Sequence, residues 1–168
     1  MEIDSRQVVG VLFLDLGKAF DSVSPPLLIK KLKSYNFSGS ALKLMRSYFS
    51  HRRNRVKLGS VNSQWKNTIR GCPQGSSFGP LLWNSFQNDL TYITEEEISM
   101  YADDHQIFAS GPSASIVEEK LLSEGNKITK WYKDNLLQVN VQKYQSMLLG
   151  PGTEIGRASC RERVYVLV

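Results

Sequence analysis

The most constraining feature of the sequence is a pair of adjacent carboxylates, Asp103 and Asp104, between two short apolar runs. Apolar runs separated by a short polar turn predict a β-hairpin, and this turn would present both acids to solvent. Neighbouring carboxylates repel each other, so water or a divalent cation must supply compensating charge. The pair is therefore either a solvated turn or part of a metal site, and other parts of the chain must decide between the two.

A second carboxylate, Asp15, directly follows the apolar run Val8–Leu14. Continuous β-branched and apolar residues are typical of a central strand that is covered on both faces. The run is too short to span a bilayer, so we expect no membrane partner. The sequence thus predicts a buried strand that ends at an acidic residue.

The remaining periodicity predicts an α+β fold. Residues 18–23 are predicted to form a turn, and strands are predicted at 136–140 and 145–150 around a turn that holds Lys143. The predicted helices are 25–35, 40–49, 81–90 and 114–135. The predicted apolar stripe of helix 81–90 consists of Leu81, Leu82, Phe86 and Leu90. That of helix 114–135 consists of Ile116, Val117, Leu121, Leu122, Ile128 and Trp131. His105 is assigned to a turn, whereas Trp65, Trp83 and Trp131 are assigned to the core or an interface.

Two loops carry further signals. Residues 70–80 are rich in Gly and Pro and precede a helix, so they are either a connecting loop or a backbone cradle for a bulky ligand. Residues 51–55 contain three arginines before a predicted hairpin over 56–69. This basic cluster is either a solvated turn or a phosphate contact. The formal charge of +5 favours a polyanionic partner without requiring one.

Length and composition indicate one globular domain in residues 1–150. Two cysteines, Cys72 and Cys160, form neither a disulfide framework nor a zinc site, which favours a reducing intracellular setting. Residues 151–168 show no clear period, and from Glu154 onward they resemble the translation of a sequencing-library adapter. We therefore interpret residues 151–168 as a non-domain tail.

Four segments in order resemble the palm of reverse transcriptases. Residues 13–23 (FLDLGKAFDSV) resemble motif A, 71–82 (GCPQGSSFGPLL) motif B, 101–104 (YADD) motif C and 140–150 motif D. The residues of these four segments are most similar to those of reverse transcriptases from non-LTR, LINE-like retrotransposons. The resemblance implies an α+β palm with part of the fingers, in which an antiparallel sheet packs on helices.

The resemblance implies an RNA-directed DNA polymerase that uses an RNA template, a DNA primer and deoxynucleoside triphosphates. Nucleotidyl transfer of this kind uses two divalent cations about 3.5–4 Å apart, and Mg²⁺ prefers carboxylate oxygens. Asp15, Asp103, Asp104 and the Leu16 carbonyl are then the implied Mg²⁺ ligands, with Mn²⁺ as an alternative ion. The three aspartates and Lys143, which would act on the triphosphate or pyrophosphate, are the implied catalytic residues.

The resemblance also implies a set of substrate contacts. Phe20 would act as a steric gate beneath the sugar, and Gln74 and Gly75 would line the incoming nucleotide. The complete set implied for substrate binding is Leu16, Gly17, Lys18, Ala19, Phe20, Gln74 and Gly75.

Most of the fingers, the thumb and the endonuclease region of such enzymes are expected to be missing from this sequence. We therefore expect a fragment that is inactive alone. Two alternatives remain open: a non-catalytic nucleic-acid-binding remnant, and another palm-fold nucleotidyltransferase such as a group II intron maturase or a telomerase-like enzyme.

Overall fold

The computed structural model describes residues 7–73 and 75–150 and has an α+β architecture. Gln74 and the tail over residues 151–168 lie outside the described residues. The chain divides into two compact units. The first comprises the residues up to Gly17 and those from Asp89 onward, and the second comprises Lys18–Asn88.

Short strands and five helices build the described residues. The strands are β1 (Val8–Leu14), β2 (Leu16–Gly17), β3 (Arg53–Asn54), β4 (Lys57–Leu58), β5 (Val61–Asn62), β6 (Lys66–Asn67), β7 (Glu97–Tyr101), β8 (Asp104–Gly111), β9 (Gln138–Val139) and β10 (Gln145–Leu149). The helices are α1 (Ala19–Ser22), α2 (Pro25–Ser34), α3 (Gly39–Phe49), α4 (Phe78–Gln87) and α5 (Ala114–Asp134), with 3₁₀ turns at Asn88–Tyr92 and Val141–Lys143.

The first unit is built on an antiparallel sheet with the strand order β10-β1-β8-β7. The predicted central strand is confirmed, because β1 lies between β10 and β8 and the side chain of Leu12 is fully buried. Helix α5 packs across β1 and β8. The apolar run therefore forms the middle of a sheet that is covered by a helix, as a buried strand requires.

Helix α5 approaches β1 closely at Gly125. A Cβ atom added there would lie 2.9 Å from Leu12 Cδ2, so glycine leaves room for the strand. The predicted apolar stripe is correct at Val117, Leu121, Ile128 and Trp131 and wrong at Ile116 and Leu122, which are exposed. Each directly adjoins a buried stripe residue in sequence, Val117 or Leu121, and sequence periodicity alone does not separate covered from open positions there.

The second unit holds α1 to α4 and two short ladders. Helix α2 contacts both α3 and α4, and Lys31 Nζ donates a hydrogen bond of 2.9 Å to the buried Phe86 carbonyl. The predicted turn at residues 18–23 is wrong, since Ala19–Ser22 form one helical turn after Lys18, which has a left-handed φ of 53°. Leu81, predicted to be buried, is exposed because α4 begins at Phe78 and turns Trp83 inward instead.

The tryptophans separate into two groups. Trp83 and Trp131 are buried, as predicted, but Trp65 is 54% exposed and is not part of the core. Within the described residues, no helix combines the length and apolar character needed to cross a bilayer.

Candidate active site

The two adjacent carboxylates lie at the tip of the β7–β8 hairpin, as predicted. Tyr101 pairs with Asp104, so Ala102 and Asp103 form the turn between the strands. Ala102 adopts a left-handed φ of 52°. Asp104 is exposed and Asp103 is partly exposed. Both acids therefore reach solvent at one end of the sheet, where water, a cation or a substrate can approach them.

Strand register brings Asp15 to the same end of the sheet. β1 and β8 pair antiparallel, and the last pair in their register is Leu14 with His105. Asp15 directly follows Leu14, and Asp104 directly precedes His105. Since neighbouring strands lie about 4.8 Å apart, the backbone at Asp15 leaves the sheet beside the acidic turn. Residues nearly ninety positions apart in sequence thus meet through a single pair of strands.

Lys143 contacts Asp15 directly. Its Nζ lies 3.4 Å from Asp15 Oδ2, and the two side chains are 65% and 34% exposed. The backbone supports this contact, because Leu16 pairs with Val139 and the Asn140 N–H donates to the Asp15 carbonyl at 3.3 Å. The structure therefore brings together two residues that the sequence predicted as catalytic and that lie in distant segments.

A buried tyrosine lies next to this contact. Tyr144 follows Lys143, and its hydroxyl forms a hydrogen bond of 3.2 Å with Thr129 on α5. Burial raises the pKa of Tyr144 to about 12; the Thr129 bond opposes this rise, and the negative charge of Asp15 adds to it. Tyr144 is therefore a neutral anchor between α5 and the segment that carries Lys143.

His105 occupies a different place from the predicted turn. It lies on β8 with 1% of its surface exposed, and its Nδ1 forms a hydrogen bond with the Tyr132 hydroxyl on α5. Burial lowers the pKa of His105 to about 4, so the imidazole is neutral near pH 7. The signal that could have found it is strand alternation: His105, Ile107 and Ala109 share the inward face of β8.

The carboxylate oxygens at this end of the sheet suit a hard cation that keeps water ligands. Within residues 7–73 and 75–150, no three His, Cys, Asp or Glu side chains converge as a closed metal cage. Mg²⁺ does not need one, because it is held by one or two carboxylates together with waters and substrate phosphates. Asp15, Asp103 and Asp104 offer carboxylate oxygens. Leu16, the first residue of β2, directly follows Asp15 and offers a backbone carbonyl. The residues present fit such an ion.

The second unit contains a cavity at the predicted glycine-rich loop. Its volume is about 440 Å³, and its lining includes Phe20, Cys72, Pro73, Gly75 and Ser76. The Cys72 N–H donates to the Phe20 carbonyl at 2.9 Å, which ties the loop to α1. Phe20 is partly exposed and its ring centroid lies 5.3 Å from that of Trp83. The structure therefore places Phe20 and Gly75 in one cavity.

The other residues predicted to bind substrate are distributed between the two units. Leu16 and Gly17 form β2 in the first unit. Lys18 is exposed and Ala19 is buried in the second. Gln74 lies outside the described residues.

Arg52 has a structural role that the sequence did not reveal. Its guanidinium donates a hydrogen bond of 2.6 Å to the Gly71 carbonyl and thereby holds the loop that lines the cavity. Burial raises the pKa of the Cys72 thiol to about 11, and the charge of Arg52 opposes this rise. The thiol is therefore protonated near pH 7 and is a poor nucleophile.

Comparison with known proteins identifies relatives of this chain. RNA-directed DNA polymerases from the mobile element jockey are 35% identical over 69% of this chain in Drosophila funebris and 29% identical over 84% in Drosophila melanogaster. The chain spans 13% and 16% of the lengths of these two relatives. Two telomerase structures share the fold. The one from Candida tropicalis has a TM-score of 0.62 and 13% identity, and the match covers 87% of this chain and 32% of the telomerase chain. The one from Candida albicans has a TM-score of 0.61 and 17% identity, and the match covers 86% of this chain and 27% of the telomerase chain.

The family described as reverse transcriptase (RNA-dependent DNA polymerase) matches residues 2–164, which is nearly the whole sequence. The predicted palm-like α+β fold is confirmed by this match together with the structural similarity. The chain belongs to the reverse transcriptase family.

Proposed function

We propose that this chain carries the palm active site of an RNA-directed DNA polymerase of a non-LTR retrotransposon, which copies an RNA template by adding deoxynucleotides to a DNA primer. The observation that supports the proposal most strongly is the β1–β8 register, which brings Asp15 to the end of the sheet where Asp103 and Asp104 lie. Carboxylates from two separate strand ends are what a site for divalent cations and a triphosphate requires.

Asp15, Asp103 and Asp104, with the Leu16 carbonyl, would hold two Mg²⁺ ions, and Mn²⁺ would substitute for them. Such ions activate the primer 3′-hydroxyl and neutralise charge on the triphosphate. The Lys143 ammonium would then lie close enough to the Asp15 carboxylate to contact the same phosphates, as its present ion pair indicates.

The cavity of the second unit would hold the incoming nucleotide. Phe20 would lie beneath the sugar and exclude a ribose 2′-hydroxyl, while Gly75 and Gln74 would line the base and sugar. Support comes from the shared cavity of Phe20 and Gly75 and from the bonds that tie this loop to α1 and Arg52. Gly17, Lys18 and Ala19 would contribute backbone contacts to the triphosphate.

The metal site is tested by Mn²⁺ binding, measured by electron paramagnetic resonance on the 168-residue chain. Asp15→Asn or Asp103→Asn is expected to weaken binding by about tenfold or more, because each removes a charged oxygen ligand. The matched control is Asp134→Asn, which removes an exposed carboxylate of α5 that pairs with Lys130. Equal Mn²⁺ affinity in all four proteins would contradict the proposed site.

Lys143 is expected to compete with the cation for Asp15. Lys143→Gln removes a positive charge 3.4 Å from that carboxylate and should tighten Mn²⁺ binding. Because both groups are substantially exposed, the change should be only about two- to fivefold. Lys130→Gln is the control, since Lys130 pairs with Asp134 on α5 and its loss should leave the affinity unchanged. Weaker Mn²⁺ binding in Lys143→Gln would show that the lysine supports the site without competing for it.

A further inference from the structure

The arginine-rich segment of the second unit folds into an exposed hairpin, which we call the basic hairpin and define as residues 51–70. Strands β3 and β6 pair at its base and β4 and β5 pair at its tip. It contains six basic side chains and no carboxylate, namely Arg52, Arg53, Arg55, Lys57, Lys66 and Arg70. Since the whole chain has a formal charge of +5, the other residues sum to −1. The positive charge of the chain is therefore concentrated in this one element.

Two of these arginines are oriented by an exposed tryptophan. The Arg55 guanidinium lies 4.6 Å from the centroid of the Trp65 ring, and that of Arg53 lies 5.9 Å away. Among the residues that the structure describes, neither arginine forms an ion pair with a carboxylate. A guanidinium stacked on an aromatic ring keeps its planar N–H groups available for a phosphate. The pair is thus held in a form ready to bind an anion.

The basic hairpin also presents apolar surface beside this charge. Trp65 is 54% exposed. Four aliphatic side chains are more than two-thirds exposed, namely Val56, Leu58, Val61 and Ile69. Proteins that bind single-stranded nucleic acid combine basic groups for the backbone with aromatic and apolar surfaces for unpaired bases. A duplex would hide those bases, so the mixture favours a single strand.

We propose that the basic hairpin binds single-stranded RNA through residues that are not among those of the proposed active site. Arg53 and Arg55 contact successive phosphates, and the open part of the Trp65 ring stacks on a base. The choice of RNA over DNA rests on the proposed function, in which RNA is the template. Arg52 is not part of this surface, because it is committed to the Gly71 carbonyl.

The test is fluorescence anisotropy of the chain with a labelled single-stranded RNA of about 15 nucleotides, a length that covers one such site. Arg53→Gln with Arg55→Gln is expected to weaken binding about tenfold and to reduce the slope of log K against log salt by about 1.4, which corresponds to two phosphates. Trp65→Ala should also weaken binding about tenfold, and Trp65→Phe should restore most of the affinity, because a base still stacks on the smaller ring.

The control removes the same charge elsewhere on the second unit. Lys30 and Lys33 are exposed on α2, so Lys30→Gln with Lys33→Gln should change the affinity less than about twofold. An equal loss in this control would show that only net charge matters and would overturn the proposal. Unchanged binding in the double arginine variant would overturn it as well. Because these arginines are exposed, that variant is expected to keep its fold, which far-UV circular dichroism checks.

Two further comparisons decide what the surface recognises. Duplex RNA and single-stranded DNA of the same sequence should bind more weakly than single-stranded RNA, and tighter binding of either would overturn the assignment. Self-association that is lost in Trp65→Ala while RNA affinity stays constant would identify a protein interface instead. Mn²⁺ affinity should be the same in the double arginine variant as in the Lys30→Gln, Lys33→Gln control, because none of these residues belongs to the proposed metal site, so failure of the metal site and failure of the basic hairpin give different results.

Discussion

Asp103→Asn is expected to lower RNA-templated primer extension by about 100-fold or more, equivalent to about 2.7 kcal/mol of transition-state stabilisation. The reason is that Asp103 lies in the β7–β8 turn beside the end of β1, where it would share a divalent cation with Asp15. The assay uses a chimera in which residues 8–150 replace the corresponding segment of the jockey polymerase of Drosophila melanogaster, whose match covers 84% of this chain. Incorporation of a labelled deoxynucleotide is measured in Mg²⁺ and in Mn²⁺.

The reference for this prediction is the unsubstituted chimera, and Asp134→Asn is the matched control. Asp134 carries the same charge and lies on the exposed end of α5 in an ion pair with Lys130. Its substitution should leave extension within about twofold of the reference, as expected for an exposed ion pair. Extension by Asp103→Asn at the level of this control would contradict the assignment of Asp103 as a metal ligand.

Acidification is expected to destabilise the fold through His105. Burial holds the pKa of His105 at about 4 in the folded chain, compared with 6.5 for an exposed imidazole. Between about pH 6.5 and pH 4, the unfolded chain therefore binds a proton at this imidazole, whereas the folded chain does not. This contribution to stability is fully present above pH 6.5 and is lost as the pH falls to about 4. One pKa unit corresponds to about 1.4 kcal/mol, so the loss from His105 alone should be about 3 kcal/mol.

Urea unfolding between pH 7 and pH 4, in a buffer that contains a chelator, measures this loss. His105→Phe should be less stable at pH 7, because Tyr132 loses its hydrogen-bond partner, but its stability should depend less on pH. His51→Asn is the control, since His51 is exposed and asparagine tolerates its left-handed φ of 55°. If His105→Phe and the unsubstituted chain lose stability in parallel between pH 6.5 and 4, His105 is not the source.

The sequence predicted the central architecture because local patterns were strong. The unbroken apolar run of Val8–Leu14 indicated a covered strand, and the structure places it in the middle of the sheet. The alternation of residues on β8 also indicated that His105 is buried, but its two acidic neighbours led us to predict a turn at this position. Exposure at Ile116, Leu122 and Leu81 depends on which neighbouring element covers each helix face, and no local period encodes that.

The candidate site was predicted in its parts and not in its geometry. The order of four motifs indicated Asp15, Asp103, Asp104 and Lys143 before any contact was known. Their proximity depends on the pairing of β1 with β8 and of β2 with β9, which are long-range events. Arg52 shows the limit most clearly: a run of arginines does not reveal that one of them turns inward to hold the Gly71 carbonyl.

The central claim is that carboxylates from two distant segments hold one shared cation site. A double-mutant cycle in Mn²⁺ affinity tests it most directly, with Asp15→Asn, Asp103→Asn and the double variant measured in the 168-residue chain. If both aspartates bind the same ions, the double variant should bind little more weakly than either single variant, and the coupling should exceed about 1 kcal/mol. Losses that simply add, or single variants that lose no affinity, would contradict a shared site.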